Sequence, residues 1–343
     1  MHKLYPLFRP LFFAADPEAA HDIVLRGLDG AASLGLAQLA SPHLSASPVR
    51  AMGIEFPNRV GLAAGLDKNA AHLRGLATLG FGFVEAGTVT PRPQPGNPKP
   101  RMFRLEQSEA LINRLGFNND GVDRFVDNVA HSRYRGVLGI NIGRNFDTPN
   151  ERAADDYVAC MRKVYGCASY ITINVSSPNT KGLRDLQDEE MLGALLAHLK
   201  STEAALADQH GRRVPLVVKI APDLDAAAIE GIARLAIRHQ VDGVIATNTT
   251  IGREGLIGER YVDEPGGLSG KPLREKSTAA IRTLARVLDG ALPIIGVGGI
   301  FSGADACDKI DAGATLVQLY TGLIYRGPML VAECVKALAA RPR

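Results

Sequence analysis

Tryptophan is absent from the sequence, and so are paired cysteine motifs and long runs of one charge. The four cysteines, Cys160, Cys167, Cys307 and Cys334, form no CxxC motif, which favours free thiols in a reducing compartment over a disulfide framework. Lysine and arginine number 39 against 36 for aspartate and glutamate, and this near balance gives no reason to expect a nucleic-acid partner. No apolar run is long enough to cross a bilayer.

The N-terminus lacks the continuous hydrophobic region of a signal peptide. Cationic and apolar residues open the chain, but Pro6, Arg9, Pro10 and Asp16 interrupt them. We therefore expect no export.

From Val60 onward the sequence repeats a unit of a short apolar strand, a loop and an amphipathic helix. Strands are predicted at Val60–Ala64, Phe83–Val89, Val137–Ile142, Tyr170–Ser176, Leu216–Ile220, Gly243–Thr247, Ile294–Val297 and Leu316–Leu319. Helices are predicted at Ala70–Leu79, Val122–Ala130, Ala153–Tyr165, Glu189–Asp208, Ala226–His239, Leu273–Leu288, Ala304–Ala312 and Met329–Ala339. This alternation indicates a parallel sheet with right-handed crossovers, covered on both faces.

Eight such units most naturally close into a (β/α)8 TIM barrel. A doubly wound open sheet is the alternative, and it is disfavoured because no G-x-G-x-x-G motif follows the first strand. We therefore predict an α/β fold in which a small N-terminal helical extension, residues 1–45, precedes a catalytic barrel domain, residues 46–343.

Two segments interrupt the repeat. Residues 91–100 are rich in proline, and Met102–Leu105 with Ala110–Ile112 predict a hairpin over the barrel mouth. Arg253–Gly270 is long and rich in glycine, which is typical of a mobile lid.

The first fifty residues predict two short helices. Asp16 is a good N-cap before Pro17, and the apolar residues that follow share one helical face, with a second helix near Ser33–Ala40. Periodicity alone favours a cap packed under the barrel, and the alternative is a surface element that enters lipid, with Lys3 and Arg9 at the headgroups.

Functional groups of a barrel lie at the carboxyl ends of its strands. Here these ends are rich in amides, hydroxyls and two lysines, whereas no carboxylate pair and no metal-binding cluster is present, so we predict no metal. Ser177 follows a β-branched strand that Pro178 stops, although Ser-Ser-Pro-Asn is also ordinary turn chemistry. Asp67, the one acid at a strand end, is expected to be a turn or capping residue.

Two further features indicate a flat, phosphorylated ligand. Gly298-Gly299 and Tyr320-Thr321-Gly322 follow the last two strands, where barrels commonly bind phosphate through backbone N–H groups. Lys219 points into the barrel mouth, either as a Schiff-base nucleophile or as a fixed charge beside a cofactor ring. The many carboxamides, each with a coplanar donor and acceptor, favour the cofactor ring.

Taken together, these residues resemble the dihydroorotate dehydrogenases of class 2, which are membrane-associated and reduce quinones. The resemblance covers nearly the whole chain. It is carried by Gly61–Lys68, Gly87–Asn97, Asn113–Asn119, Asn174–Thr180, Ala246–Thr250, Gly267–Gly270 and Ile295–Ile300. It implies that the protein is a flavin-dependent oxidoreductase of pyrimidine biosynthesis, which oxidises (S)-dihydroorotate to orotate with FMN as hydride acceptor and a quinone as final electron acceptor.

The resemblance also assigns residues. The implied FMN contacts are Ala64, Gly65, Leu66, Asp67, Lys68, Thr88, Asn141, Asn174, Lys219, Thr247, Gly270, Gly299, Tyr320 and Thr321. The implied substrate contacts are Lys68, Asn113, Arg114, Leu115, Gly116, Phe117, Asn174, Asn179, Asn248 and Thr249. Ser177, where class 1 members carry Cys, would be the catalytic base, with Thr180 and Phe117 supporting a water relay.

Class 2 members use an N-terminal helical pair as a funnel for the quinone. His21, Arg104 and Tyr320 match the quinone site, although His21 also fits an exposed helix residue. The resemblance implies a monomer held peripherally at the cytoplasmic face of the inner membrane.

Two other functions remain open from the residues alone. A flavin-free aldolase or isomerase would use Lys219 as its nucleophile. A non-catalytic scaffold would give no reason to gather Lys68, Ser177 and Lys219 at strand ends.

Overall fold

The structure, a computed structural model, describes residues 5–35, 47–256 and 258–341. Its strands are β1 (Val49–Ala51), β2 (Ile54–Phe56), β3 (Val60–Leu62), β4 (Phe83–Val89), β5 (Met102–Leu105), β6 (Ala110–Asn113), β7 (Val137–Ile142), β8 (Tyr170–Asn174), β9 (Leu216–Ile220), β10 (Gly243–Ala246), β11 (Gly267–Gly270), β12 (Ile294–Val297) and β13 (Leu316–Leu319).

Its α-helices are α1 (Tyr5–Ala14), α2 (Pro17–Ser33), α3 (Leu73–Leu76), α4 (Gly121–Ser132), α5 (Ala153–Val164), α6 (Glu189–His210), α7 (Ala226–Arg238), α8 (Arg274–Leu288), α9 (Gly303–Asp311), α10 (Thr321–Arg326) and α11 (Met329–Ala339). Short 3-10 helices lie at Ala77–Leu79, Asn150–Arg152, Leu183–Gln187 and Lys271–Leu273.

Eight parallel strands form a closed barrel in the order β10-β12-β13-β3-β4-β7-β8-β9. Most of their residues are apolar and nearly all are buried, because side chains point alternately into the barrel and toward the surrounding helices. The predicted TIM barrel is therefore confirmed. Three strands end slightly earlier than predicted, at Leu62, Asn174 and Ala246, because the chain leaves the ladder to form the loops at the mouth.

The predicted helix at Ala70–Leu79 is wrong at its start. Asp67 accepts hydrogen bonds from the backbone N–H groups of Ala71 and His72, at 2.9 and 2.8 Å, and holds this stretch in a turn. Ala70 has a positive φ of 54°, which the right-handed helix does not allow. Helix α3 therefore begins only at Leu73. The prediction that Asp67 is a turn or capping residue is confirmed in its first form, because its carboxylate orders the turn before α3.

An unpredicted hairpin, β1 with β2, closes the amino-terminal end of the barrel. Phe56 on β2 is fully buried and packs edge-on against Phe83, with ring centroids 5.1 Å apart. Phe83 in turn contacts Tyr170, and the same apolar cluster takes in inward-facing residues of β9, β10, β12 and β13. The lower half of the barrel is thus packed solid, and the mouth is at the opposite end.

The predicted hairpin over the mouth is confirmed as β5 and β6. A third strand, β11, pairs with β6 at the end of the segment predicted as a lid. That strand was missed because it consists of Gly267, Leu268, Ser269 and Gly270, residues that predict a loop rather than a strand.

The N-terminal extension packs beside this sheet. The side chain of Asp16 caps α2 as predicted, accepting from the N–H groups of Glu18 and Ala19 at 3.0 Å. Helices α1 and α10 were not predicted, and they contact each other. Phe13 of α1 also packs on Tyr325 of α10, with ring centroids 5.1 Å apart. The helix predicted near Ser33–Ala40 lies largely outside the described residues, as does the predicted boundary at residue 45.

Within the described residues, none of the helices combines the length and the apolar character that crossing a membrane requires.

Candidate active site

A cavity of about 970 Å³, including its open mouth, lies at the carboxyl ends of the barrel strands. Its size falls in the range of cofactor and substrate pockets. Of the predicted cofactor residues it is lined by Ala64, Gly65, Lys68, Thr88, Asn174, Lys219, Thr247, Gly270, Gly299, Tyr320 and Thr321. Of the predicted substrate and catalytic residues it is also lined by Asn113, Leu115, Gly116, Phe117, Ser177, Asn179, Asn248 and Thr249. Residues far apart in sequence therefore converge on one cavity.

Buried carboxamides form the floor of this cavity. Asn174 Nδ2 donates to Asn141 Oδ1 at 3.0 Å and to Thr88 Oγ1 at 2.9 Å. Asn141 Oδ1 also accepts from Thr88 Oγ1 at 2.5 Å, and its Nδ2 donates to Glu85 Oε1 at 2.8 Å. Because these bonds fix the direction of each amide, the floor presents a rigid polar surface.

Glu85 is a functional candidate that the sequence did not reveal. It is fully buried inside the barrel, and its Oε2 accepts from Tyr170 Oη at 3.0 Å and from Gln318 Nε2 at 2.7 Å. Burial lowers the pKa of Lys219, and the Glu85 carboxylate opposes that shift. Glu85, which also holds Asn141 of the cavity floor, therefore favours the charged form of Lys219.

Ser177 lies on the loop after β8 and is only 4% exposed. Its Oγ accepts a hydrogen bond from the backbone N–H of Asn179 at 3.2 Å, which leaves its own hydrogen free to point elsewhere. Thr180 and Phe117 are also buried, and Thr180 Oγ1 has no partner in the described part of the chain. A buried hydroxyl of this kind can hold a water molecule.

The amides around Ser177 are ordered by one another. Asn179 Nδ2 donates to Asn113 Oδ1 at 2.9 Å, whereas Asn179 Oδ1 is buried and unpartnered within the described residues. Asn248 Nδ2 donates to Ser176 Oγ at 3.0 Å. An unpartnered buried amide oxygen calls for a donor, which a bound ligand would supply.

Arg184 is a second candidate that the sequence did not reveal. Its guanidinium donates to the carbonyl oxygen of Ser176 at 3.0 Å, to that of Thr249 at 2.8 Å and to Asp223 Oδ2 at 2.8 Å. Asp223 also receives Lys276 Nζ at 2.8 Å. One side chain thus joins the loops that follow β8, β9 and β10.

Four predicted contacts lie off the cavity wall. Arg114 turns away and pairs with Glu264 at 2.6 Å, and Asp67 caps the turn before α3. Leu66 lines the neighbouring N-terminal cavity, and Asn141 lies in the floor below Asn174. Through their side chains, these residues support the cavity from behind.

Lys68 lies between the mouth cavity and a smaller polar cavity beside α2. Burial lowers the pKa of Lys68 to about 8, and the nearby Glu18 carboxylate opposes the shift. The ammonium group is therefore charged at neutral pH and suits an anionic ligand.

The loop after β12 has the shape of a phosphate cradle. Gly298 and Gly299 have positive φ values of 122° and 71°, and a Cβ on Gly299 would come within 2.4 Å of Arg274 Cα. Only glycine fits here, so the backbone N–H groups stay accessible. Thr321 Oγ1 donates to Ser269 Oγ at 2.8 Å and links the loop after β13 to β11.

A second, mostly apolar cavity of about 1840 Å³, also open to solvent, lies between the N-terminal helices and the barrel. Phe12 and Val24 line it together with His21 and Arg104, and Tyr320 lines both this cavity and the mouth cavity. Burial, followed by the charge of Lys68, lowers the pKa of His21 to about 4. His21 is therefore a neutral, partly buried cavity residue, and the expectation of an exposed helix residue is wrong.

The sequence and the fold are both similar to those of known proteins. The family model "Dihydroorotate dehydrogenase" matches residues 47–341. The chain is 64% identical over 336 residues to a dihydroorotate dehydrogenase (quinone) of Thiobacillus denitrificans, with 98% of this chain and 99% of that protein covered. It is 62% identical over 336 residues to one of Chromobacterium violaceum, with 98% of each chain covered. A crystal structure of DHODH from Eimeria tenella in complex with ferulenol superposes with a TM-score of 0.85 at 40% identity, covering 94% of this chain and 90% of that one.

Proposed function

The chain belongs to the dihydroorotate dehydrogenase family, and from this premise we propose which residues perform each part of the reaction. The protein oxidises (S)-dihydroorotate to orotate in pyrimidine biosynthesis, with FMN as hydride acceptor and a quinone as final electron acceptor. One observation best supports assigning the substrate and the quinone to separate cavities: Tyr320 lines both the polar mouth cavity and the apolar N-terminal cavity. A cofactor beside Tyr320 would be accessible from both sides.

The mouth cavity fits FMN in chemistry and in shape. The glycine cradle at Gly298-Gly299, with Thr321 and Ser269 beside it, would hold the phosphate through backbone and hydroxyl donors. The rigid amides of Asn174 and Asn141 would face or support the polar edge of the ring system. When bound, FMN supplies a ring that accepts the hydride from the substrate and passes its electrons to the quinone.

Lys219 would hold a positive charge against that ring. Burial lowers the pKa of Lys219, and the nearby Glu85 opposes this shift and so favours the charged form. A fixed charge in a buried site stabilises an anion without the cost of reorganising water.

The substrate would lie over the amides, with its carboxylate near Lys68. Asn113, Asn179 and Asn248 offer both donors and acceptors, which matches the alternating N–H and C=O groups of a pyrimidine ring. Ser177 Oγ would take the proton from C5 as hydride leaves C6, and would pass its own hydroxyl proton to a water molecule beside Thr180. A hydroxyl is a weak base in water, so the burial of Ser177 and a water held by Thr180 are the features that make this transfer feasible.

The quinone would enter through the N-terminal cavity, whose apolar walls suit an isoprenoid tail. Leu7 and Leu11 of α1, which do not line this cavity, are 74% and 69% exposed, and Ile23 of α2, at the cavity, is 60% exposed. Such a concentration of exposed apolar side chains supports peripheral contact with a membrane. We extend the proposal to a monomer at the cytoplasmic face of the inner membrane, with residues 1–45 as the membrane-associating segment and residues 46–343 as the catalytic domain.

Separate half-reactions test the proposal. The purified protein is expected to be yellow, and anaerobic mixing with dihydroorotate should bleach the flavin absorbance. A soluble quinone should then restore the colour rapidly, whereas fumarate should not. Colourless protein that becomes labelled at Lys219 when borohydride is added with a carbonyl substrate would instead support a Schiff-base enzyme.

A further inference from the structure

Lys309 on α9 is a fully buried lysine to which no step of the reaction assigns a role. Its Nζ donates to the carbonyl oxygen of Arg274 at 2.9 Å, to Ser277 Oγ at 2.7 Å and to Thr278 Oγ1 at 2.7 Å. All three hydrogens are therefore used. Among the described residues no carboxylate lies within ion-pair distance of this ammonium group.

The position of this charge is electrostatically unfavourable in the protein alone. Arg274 and Ser277 lie in the first turn of α8, and Thr278 follows directly; this end of a helix carries partial positive charge and disfavours cations. Asp305, an acid on the same helix as Lys309, pairs with Arg274 at 2.8 Å instead. Burial lowers the pKa of Lys309 to about 7, and Glu275 and Asp305 oppose the shift only from a distance. Within the described residues, the fold thus buries this amino group without an anion in contact with it, so a bound anion nearby would favour its charged form.

This cation lies directly behind the glycine cradle. Ser277 Oγ, which accepts from Lys309, donates to the carbonyl oxygen of Val297 at 2.8 Å. A Cβ on Gly298 would lie 3.0 Å from the same Oγ, and one on Gly296 would lie 3.2 Å from Lys309 Cβ. A single hydroxyl group therefore separates the ammonium group from the loop whose front side faces the cavity.

We propose that Lys309 is a positioning residue for the FMN phosphate: its buried charge offsets the phosphate charge across the Gly298-Gly299 loop and makes the site prefer FMN over riboflavin. The inference rests on the proposed cofactor site. A charge–charge interaction through buried protein is screened far less than one through water, so an indirect contact is sufficient.

Flavin affinity provides the test, because riboflavin has the same ring and lacks the phosphate. Full-length protein stripped of flavin is titrated with FMN and with riboflavin while flavin fluorescence is followed. For Lys309→Met we expect the Kd for FMN to rise by about tenfold or more and the Kd for riboflavin to change less than about twofold. Lys309→Arg should retain most of the preference.

Two controls separate charge from structure. Thr278→Val removes one acceptor of Lys309 but keeps the charge, so it should retain the preference for FMN even if it lowers stability. Lys336→Met removes an exposed cation on α11 and should change neither Kd. If Lys309→Met does not fold, Lys309→Gln keeps a donor for the same oxygens and makes the same test.

The outcomes separate a wrong role for Lys309 from a wrong cofactor site. Variants without a charge at position 309 that retain the wild-type ratio of the two Kd values overturn the inference, as does an equal loss of both flavins. Wild-type protein that binds neither flavin overturns the proposed cofactor site itself.

Discussion

Arg184 Nε donates a hydrogen bond to the carbonyl oxygen of Ser176 at 3.0 Å, one residue before the proposed base. Nη2 of the same guanidinium donates to the carbonyl oxygen of Thr249, on the substrate side of the cavity, at 2.8 Å. The base and part of the substrate site are therefore positioned by one planar group with a fixed fork of donors.

Replacing Arg184 with Gln should slow flavin reduction by dihydroorotate about 10- to 100-fold, because small displacements of reacting groups are costly in rate. FMN affinity and reoxidation by quinone should be unchanged. Stopped-flow absorbance measures each half-reaction, and substrate deuterated at C5 should show a changed isotope effect if Ser177 has moved. Arg234→Gln, at an exposed site on α7, is the control. An unaltered reduction rate in Arg184→Gln would show that the loops hold without it.

Ser177→Ala should abolish rapid flavin reduction while leaving FMN bound, since general-base assistance contributes on the order of 10² to 10⁴ in rate. Ser177→Cys should retain part of the activity, because a thiol can accept the same proton. Anaerobic stopped-flow measures the rate, and the flavin spectrum checks occupancy. Wild-type reduction by Ser177→Ala at neutral pH would refute the assignment of the base.

Lys219 and Glu85 should be coupled in stability. Lys219→Met removes the charge that faces the buried Glu85 at longer range than an ion pair, which should lower the free energy of unfolding by about 1 kcal/mol. Adding Glu85→Gln should recover part of that loss. Urea unfolding of the two single variants and the double variant measures the coupling. Strictly additive losses would mean that the two side chains do not interact.

The apparent affinity for dihydroorotate should fall above pH 8. The folded-state pKa of Lys68 is lowered from 10.5 to about 8, so its positive charge is complete well below pH 8 and is lost as the pH rises through that value. The substrate carboxylate stays ionised throughout, so KM should rise up to about tenfold per pH unit. Lys68→Met should have a high KM at every pH. A wild-type KM that stays flat from pH 7 to pH 9.5 would remove Lys68 from the anion site.

The outer face of α1 should mediate membrane contact. Leu7 and Leu11 are highly exposed and do not line the N-terminal cavity, so Leu7→Ser with Leu11→Ser should weaken vesicle binding by about 100-fold and leave turnover with a short-chain quinone intact. Phe146→Ser, at a 65% exposed apolar residue elsewhere, is the matched control. Vesicle co-sedimentation measures binding, and equal loss in both variants would indicate nonspecific adhesion.

Local patterns predicted the elements that depend on local chemistry. The Asp16 cap, the hairpin of β5 and β6 and the alternation of strands and helices all follow from residues close in sequence. The cavity residues at strand ends were predicted because parallel strands bring their carboxyl ends together whatever lies between them. Asn113, Leu115, Gly116, Phe117 and Gly270 were predicted only from the family resemblance.

Elements whose stability comes from distant partners were missed. No helix was predicted at α1, which contains Pro10, and the helix there contacts α10 at the far end of the chain. Glu85 lies in an otherwise apolar strand, and its partners Tyr170 and Gln318 are 85 and 233 residues away. Arg184 similarly binds carbonyl groups that only the closed barrel places near it.

The hairpin of β1 and β2 closes one end of the barrel and leaves the other open, so the two ends differ in their tolerance for substitution. At the amino-terminal end, Phe56 and Phe83 pack within an apolar cluster and do not line the mouth cavity, so substitutions of these two residues that conserve volume should alter melting temperature and leave kinetics alone. Stabilising substitutions are therefore best placed around Phe56 and Phe83, at the end of the barrel opposite the reacting atoms.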